Sequence, residues 1–250
     1  MDVLYIVVPA YNEAANIRQL VEDWYPVVQA HDGNGKSRLV VINDGSKDKT
    51  YEILRQLAKG RPFLEPLTKP NGGHGSTVLY GYRYALKHNA DYIFQTDSDG
   101  QTLPEEFESF WRLRDRHDAI FGKRPHRQDG FSRKVVERVL CLLLFFIFGV
   151  RLPDSNAPFR LMTREFLQKY VQILDPDYNL PNVMLTVCAA YFHEKATFRE
   201  VTFRPRQGGK NSINIRKIFK IGWKSLRDFS RYHKIMRQMK KEARNGKVRR

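Results

Sequence analysis

Asp97 and Asp99, two aspartates separated by one residue, are the residues in this sequence whose types and spacing most clearly suggest a chemical role. They follow residues 92–95, a mostly apolar run with strand character, and precede Pro104, which can start a helix. Side chains two residues apart on a strand share a face, and two like charges on one face favour a bound cation. Carboxylate oxygens suit Mg²⁺ or Mn²⁺, and the amide oxygen of Gln101 is a candidate third ligand. A solvated turn is the alternative interpretation of these residues.

Strand-like and helix-like segments alternate along the first half of the chain and would position these carboxylates. Apolar runs predict buried strands, and helices are predicted between them; the strands are at 3–8, 39–42, 92–95 and 119–121, and the helices at about 14–30, 49–59, 76–88 and 104–117. This alternation indicates a parallel sheet, in which ligands bind beyond the carboxyl ends of the strands. Glu13, Asp44 and the Asp97/Asp99 pair all fall at that edge. No dinucleotide-binding or Walker-type glycine motif follows the first strand.

The net charge of +16 is distributed unevenly. Residues 204–250 carry 17 Lys and Arg against two acidic residues, whereas residues 1–203 are nearly neutral. Nucleic acid and an anionic membrane surface are the two candidate partners for such a segment. Because the basic residues flank an apolar stripe, we expect the membrane surface and no nucleic acid. Cys141 and Cys188 have no metal-ligand spacing and the chain begins with a strand-like run, so we expect a cytoplasmic, peripheral protein without a signal peptide.

Two apolar segments have the character of surface helices. Residues 139–150 are 12 uncharged residues, about 18 Å as a helix, against a hydrocarbon core of about 30 Å. This segment is either a core helix or, as we prefer, an interfacial helix. We therefore predict a catalytic domain at 1–212 that includes an interfacial helix at about 134–150. An amphipathic basic helix at 213–239 and a disordered basic tail at 240–250 follow, although core packing would also explain the apolar stripe of that helix.

Three segments together resemble a known family. Val8–Glu13, Asn43–Ser46 and Asp97–Gln101 are similar in order and spacing to family 2 glycosyltransferases with the GT-A fold. Later segments resemble the branch of dolichyl-phosphate mannose synthases and polyprenyl-phosphate glycosyltransferases; they are Gly122–Arg124, Ser132–Arg133 and Asp154–Leu161. The resemblance implies a Rossmann-like, mostly parallel sheet with helices on both faces, followed by amphipathic helices on the membrane surface.

The resemblance also implies roles for individual residues. The nucleotide would be bound by Pro9, Ala10, Tyr11, Glu13, Asp44, Gly73, Asp97 and Ser98. Asp97, Asp99 and Gln101 would hold Mg²⁺ or Mn²⁺. The catalytic residues would be Asp99, Arg124, Arg133 and Arg160, with the arginines facing the acceptor phosphate and the leaving diphosphate. A mobile loop over the acceptor phosphate would contribute Arg206, Lys210 and Ser212. For any single arginine, the alternative is a solvated surface charge.

The expected reaction is inverting transfer of a sugar from a nucleotide sugar, GDP-mannose or a UDP-sugar, to a polyprenyl or dolichyl phosphate at the cytosolic membrane face. A phosphate acceptor is mostly dianionic at neutral pH and needs cations rather than a general base. Transfer to a hydroxyl of a lipid, glycan or protein is the alternative, and a nucleic-acid-binding module is a remote one. A membrane-anchoring partner or a homo-oligomer is left open.

Overall fold

Strands and helices alternate through the chain, for which the computed structural model describes residues 1–125, 131–204 and 215–248. The strands are β1 (Leu4–Ala10), β2 (Arg38–Asp44), β3 (Leu64–Lys69), β4 (Tyr92–Thr96), β5 (Ala119–Lys123), β6 (Phe159–Thr163) and β7 (Ala196–Glu200). The helices are α1 (Ile17–Ala30), α2 (Thr50–Ala58), α3 (His74–Lys87), α4 (Phe107–Trp111), α5 (Phe131–Phe148), α6 (Arg164–Val171), α7 (Pro181–Tyr191) and α8 (Ile215–Val248).

The strands form one sheet in the order β3-β2-β1-β4-β6-β5-β7. β1 pairs in parallel with β2 and β4, and β2 pairs in parallel with β3. β6 runs antiparallel between β4 and β5, while β7 is parallel to β5. The predicted α/β class with a mostly parallel sheet is therefore confirmed.

Each face of the sheet carries its own hydrophobic cluster. On β1, Tyr5 and Val7 join the cluster covered by α3, α5, α6, α7 and α8, whereas Ile6 and Val8 join the cluster covered by α1, α2 and α4. Every residue of β1 is buried. Because alternate side chains meet helices on opposite faces, the strand must be apolar throughout, and this explains the continuous run in the sequence.

Three strands, β3, β6 and β7, were not predicted from the sequence, and the helix predicted at 104–117 is divided into shorter elements. β3 and β7 are the two edges of the sheet, and most of their side chains are partly exposed. Pro66 lies within β3, a position that an edge strand tolerates. The helix expected at 104–117 is instead two short 3₁₀ turns on either side of α4. None of these elements contains a long run or periodic pattern of apolar residues, which is the signal from which strands and helices were predicted.

Helix α5 has one buried and one exposed apolar face. Leu144 and Phe148 are buried, whereas Val139, Leu142 and Phe146 are exposed, Phe146 by 73%. The helix ends at Phe148 rather than at residue 150, because Gly149 adopts a left-handed φ of 72°. We call Val139, Leu142 and Phe146 the exposed ridge of α5. The helix is thus anchored in the core, and its ridge is an exposed apolar surface.

Helix α8 packs against the same side of the sheet through Phe229, Tyr232 and Met236, which are fully buried. The rings of Phe229 and Phe148 on α5 have centroids 6.1 Å apart. The helix continues to Val248, so the described part of the segment expected to be a disordered tail is helical. None of the helices in the described parts of the chain combines the length and apolar character needed to cross a bilayer.

Candidate active site

The loop from Asp97 to Gly100 follows β4 at the carboxyl edge of the sheet. Gly100 adopts a left-handed φ of 69°, which turns the chain. The Asp97 side chain is 25% exposed, and its Oδ1 accepts a hydrogen bond from Gln95 Nε2 at 3.0 Å. Oδ1 of Asp99 accepts the backbone N–H of Gln101 at 3.3 Å. Both carboxylates are held at the strand end, and Asp97 remains accessible to a ligand.

Gln101, predicted as a third metal ligand, is 3% exposed. Its side-chain Nε2 donates to the carbonyl oxygen of Arg204 at 2.8 Å, and its own carbonyl oxygen accepts the N–H of Arg204 at 2.8 Å. These two bonds fasten the loop to the segment that follows β7. In this structure Gln101 therefore connects the loop after β4 to the segment after β7, and its role as a metal ligand stays a prediction.

The side chains at this edge suit a cation that arrives with phosphate. His74 Nε2 lies 3.8 Å from Asp97 Oδ1. Within the described ranges, no group of three or more His, Cys, Asp or Glu side chains is arranged to hold a metal ion. Mg²⁺ and Mn²⁺ accept one or two carboxylates when substrate phosphates supply the remaining oxygens. Asp97 and Asp99 therefore fit such an ion bound together with a diphosphate, rather than a preformed protein cage.

Helix α3 starts beside the Asp97 loop. Gly73 precedes its first residue with a left-handed φ of 85°, and His74 at that first residue is exposed. A Cβ on Gly75 would lie 2.4 Å from the backbone of Asn179, so this position requires glycine. The free N–H groups of a helix N-terminus attract anions. The edge therefore combines two carboxylates with a helix end that favours phosphate.

Asp44, at the end of β2, accepts hydrogen bonds from the protein itself. Lys69 Nζ donates to its Oδ1 at 2.5 Å, and the backbone N–H groups of Gly72 and Gly73 donate to its two oxygens at 2.9 Å each. Burial alone would raise the pKa of Asp44, but hydrogen bonds from Lys69 and the Gly72 backbone outweigh it and hold the pKa below its usual value. Asp44 thus shapes the Gly72–Gly73 loop, and its predicted contact with the nucleotide stays a prediction.

The end of β1 is joined to the end of β2. Pro9 and Ala10 are buried, while Tyr11 is 43% exposed and is a candidate surface for a nucleobase. Glu13 is buried, and its Oε2 accepts a hydrogen bond from Asn16 Nδ2 at 2.8 Å just before α1. The backbone N–H of Asn12 donates to Ser46 Oγ at 2.9 Å, and the backbone N–H of Lys47 donates to Asn12 Oδ1 at 2.8 Å. Ser98, also predicted to bind nucleotide, is buried in the loop after β4.

Arg124 is ion-paired next to β5. Its Nε and Nη2 donate to the two oxygens of Asp154 at 2.8 and 2.9 Å, and both side chains are about 5% exposed. The loop around Asp154 is in turn tied to α5, because Oε1 of Glu137 accepts the N–H and the hydroxyl of Ser155 at 2.9 and 2.8 Å. The structure therefore connects Arg124 to the helix that carries the exposed ridge.

Arg160, predicted to face the acceptor phosphate and the leaving diphosphate, is buried in this structure, and its catalytic role stays a prediction. It is 1% exposed on β6, and its guanidinium donates to the carbonyl oxygens of Ala157 and Asn182 at 2.8 and 2.9 Å. Burial lowers the pKa of this group. Because both partners are backbone groups, Arg160 joins β6 to α7. The side chain of Arg133, within α5, and the predicted loop residues Arg206, Lys210 and Ser212 lie outside the described residues.

Several residues around the site were not assigned a role from the sequence: Lys69, Gln95, Asp154 and Asn182. Lys69 and Asp154 are the ion-pair partners of Asp44 and Arg124. Gln95 and Asn182 are buried polar residues within the otherwise apolar segments of β4 and α7. An amide inside an apolar run is a signal in the sequence, because a buried polar group requires a partner. The identity of that partner is not visible there.

Comparison with known proteins agrees with this architecture. The model of glycosyl transferase family 2 matches residues 5–171. A dolichyl-phosphate beta-glucosyltransferase, ALG5A, of Trichomonas vaginalis is 28% identical over 68% of this chain and 57% of its own length. An undecaprenyl-phosphate 4-deoxy-4-formamido-L-arabinose transferase of Photorhabdus laumondii is 24% identical over 86% of this chain and 64% of its own. The chain thus spans less than two thirds of the length of these relatives.

A solved structure shares the fold. Glucosyl-3-phosphoglycerate synthase of Mycobacterium tuberculosis, in complex with Mn²⁺, uridine diphosphate and glucosyl-3-phosphoglycerate, superposes with a TM-score of 0.60 at 18% identity, covering 84% of this chain and 73% of that one. The mostly parallel sheet with acidic residues at its carboxyl edge defines an α/β protein of the GT-A type. Because the family model matches more than half of the chain, the protein belongs to glycosyl transferase family 2.

Proposed function

We propose that this protein catalyses the metal-dependent, inverting transfer of a sugar from a nucleotide sugar, GDP-mannose or a UDP-sugar, to a polyprenyl or dolichyl phosphate. The observation that carries the proposal is the carboxyl edge of β4, where the partly exposed Asp97 lies 3.8 Å from His74 at the start of α3. The names of the two curated relatives support the acceptor class.

The donor half of the site binds and orients the nucleotide diphosphate. Asp97 and Asp99 provide the carboxylates for a cation, and the N-terminus of α3 faces the same edge with its N–H groups. Bound Mg²⁺ or Mn²⁺ supplies positive charge that stabilises the departing diphosphate. Tyr11, the exposed aromatic residue after β1, lies at the same edge as a surface for the base. Asp44 keeps the Gly72–Gly73 loop in the shape that leaves room for the phosphates.

The acceptor half needs cations rather than a base. A phosphate monoester has a second pKa near 6 and attacks as a dianion at neutral pH. An arginine has five N–H donors, so Arg124 can hold Asp154 through Nε and Nη2 while its other N–H groups bind an acceptor phosphate. Direct attack of the phosphate oxygen on the anomeric carbon breaks the bond to the nucleotide diphosphate and inverts the configuration.

The lipid part of the acceptor is proposed to lie at α5. The exposed ridge of α5 is an apolar surface next to a groove of about 410 Å³, which Arg138 and Arg151 flank. On α8, the exposed basic residues Arg237, Lys241 and Arg244 would meet anionic headgroups. This arrangement supports a peripheral protein on the cytoplasmic face of a membrane, alone or with an anchoring partner or a second copy.

The test is a screen of radiolabelled GDP- and UDP-sugars with vesicles that contain polyprenyl phosphate, followed by organic extraction. Label should enter the lipid phase with one donor, depend on Mg²⁺ or Mn²⁺, and be released by mild acid, as expected of a glycosyl phosphate. Arg124→Lys, which loses the bidentate fork, should lower transfer at least about tenfold, whereas the exposed Arg116→Lys should not. An acid-stable product would instead indicate a hydroxyl acceptor, and no transfer to lipid would refute the proposal.

A further inference from the structure

A chain of three buried polar side chains ends on Asp97. Tyr82 in α3 and Gln95 in β4 are fully buried, and Asn182 in α7 is 3% exposed. Tyr82 Oη donates to Asn182 Oδ1 at 2.8 Å, and Asn182 Nδ2 donates to Gln95 Oε1 at 2.8 Å. Gln95 Nε2 then donates to Asp97 Oδ1 at 3.0 Å. Every bond in this polar chain is short enough to be a well-formed hydrogen bond.

The direction of the polar chain is determined at both ends. An ionised carboxylate only accepts, so Gln95 must present its NH₂ group to Asp97 and its oxygen to Asn182. Asn182 must then donate to Gln95 and accept from Tyr82. Burial raises the pKa of Tyr82 far above its usual value, so its hydroxyl keeps the proton that it donates. Neither the Gln95 amide nor the Asn182 amide can flip without leaving buried groups unpaired.

The backbone around Asn182 is also held. The carbonyl oxygen of Asn182 accepts hydrogen bonds from Arg160 Nη1 at 2.9 Å and from Thr186 Oγ1 at 2.8 Å. The same Arg160 guanidinium is bound by Ala157 O. Since β6 is paired with β4, with Arg160 opposite Gln95, the start of α7 and the end of β4 are fastened through one cation.

We propose that Tyr82, Asn182 and Gln95 are positioning residues that orient the Asp97 carboxylate for the cation and its diphosphate. This inference rests on the proposed metal site at Asp97 and Asp99. The polar chain occupies Oδ1 from the protein side, which restrains rotation of a carboxylate that is otherwise accessible. Groups that orient metal ligands in this way typically contribute ten- to hundredfold to metal affinity or activity.

The experiment measures the Mn²⁺ Kd by electron paramagnetic resonance, without catalytic turnover. One series contains UDP and a parallel series contains GDP. Asn182→Leu should raise the Mn²⁺ Kd by about ten- to hundredfold. Tyr82→Phe, which removes only the last donor, should raise it by about fivefold. Nucleotide affinity in EDTA should stay within about twofold of wild type in both variants. A merely structural role would alter these two affinities together.

Tyr170→Phe is the matched control for Tyr82→Phe, because Tyr170 in α6 is also fully buried and donates its hydroxyl to Glu194, outside the polar chain. Its Mn²⁺ Kd should stay within about twofold of wild type. Equal Kd values in Tyr82→Phe and Tyr170→Phe would overturn the inference, even if Asn182→Leu does not fold. Asp97→Asn separates the two proposals: if wild type and Asp97→Asn bind Mn²⁺ equally, the metal site itself is refuted.

Discussion

Asp44 and Asp97 end two strands that flank β1 on the same edge of the sheet, yet their surroundings differ. The Asp44 side chain is 4% exposed and is held by a lysine and two backbone N–H groups. The Asp97 side chain is 25% exposed and is held by the amide of Gln95. A carboxylate surrounded by protein donors holds neighbouring segments together. A carboxylate that is oriented by a protein donor and is also exposed to solvent can bind a ligand. Position at a strand end therefore does not by itself define a role.

The largest effect should come from Asp97 and Asp99, the proposed metal ligands. Asp97→Asn or Asp99→Asn should lower the rate of transfer by about a thousandfold. A bound cation stabilises the transition state by several kcal/mol, and about 1.4 kcal/mol corresponds to a tenfold change in rate. The free energy of unfolding should change by less than about 0.5 kcal/mol. Asp115→Asn, an exposed aspartate near the opposite end of β4, is the control for both measurements. Full activity of either variant would remove the contrast with Asp44.

Asp44→Ala should instead destabilise the fold. It removes the counter-charge of the largely buried Lys69, whose ammonium then keeps a neutral acceptor, the carbonyl oxygen of Pro70. Breaking a buried ion pair typically costs about 3–5 kcal/mol of unfolding free energy. Urea denaturation measures this loss directly. The double variant Asp44→Asn with Lys69→Met removes both charges and should recover most of the stability. A single variant as stable as wild type would show that Asp44 is not an anchor.

The ion pair of Arg124 with Asp154 extends the comparison to β5. Asp154→Asn keeps the shape of the side chain but removes the charge that accepts two guanidinium bonds, so we expect a loss of about 1.5–3 kcal/mol in unfolding free energy. The pair of the partly buried Arg114 with the exposed Asp115 provides the control, since Asp115→Asn should cost less than about 1 kcal/mol. Similar losses in the two variants would mean that burial does not distinguish these pairs.

The smallest effect concerns acid. Because the folded-state pKa of Asp44 is below that of an unfolded aspartate, its stabilising contribution is present above about pH 3.9 and is lost as the pH falls through the folded value. Asp44→Asn should therefore lose less stability than wild type in that window, and its acid-unfolding midpoint should differ by about a few tenths of a pH unit. Circular dichroism against pH, with Asp97→Asn in parallel, measures the difference; identical pH slopes in wild type and Asp44→Asn would contradict it.

Much of the catalytic architecture could be predicted from short segments. The apolar run of β1 is buried on both faces as expected, and Glu13, Asp44 and Asp97 all follow strands at one edge. These features are local, because a strand's period and the residues after it are adjacent in the sequence. The edge strands β3 and β7 were missed, since a half-exposed strand needs no apolar run. The burial of Arg160 was missed as well, because its two carbonyl partners lie on the loop before β6 and at the start of α7.

The sequence by itself determined which residue types stand at the strand ends, and hence the family and the class of chemistry. Only the tertiary structure decided which of those residues are anchored and which are open. The donor to Asp97 depends on Asn182, which is 87 positions from Gln95 and 100 from Tyr82. Such partners are selected when α3, α7 and β4 pack together, because each buried polar group must then find a hydrogen bond in the space that remains. No pattern confined to one segment contains that information.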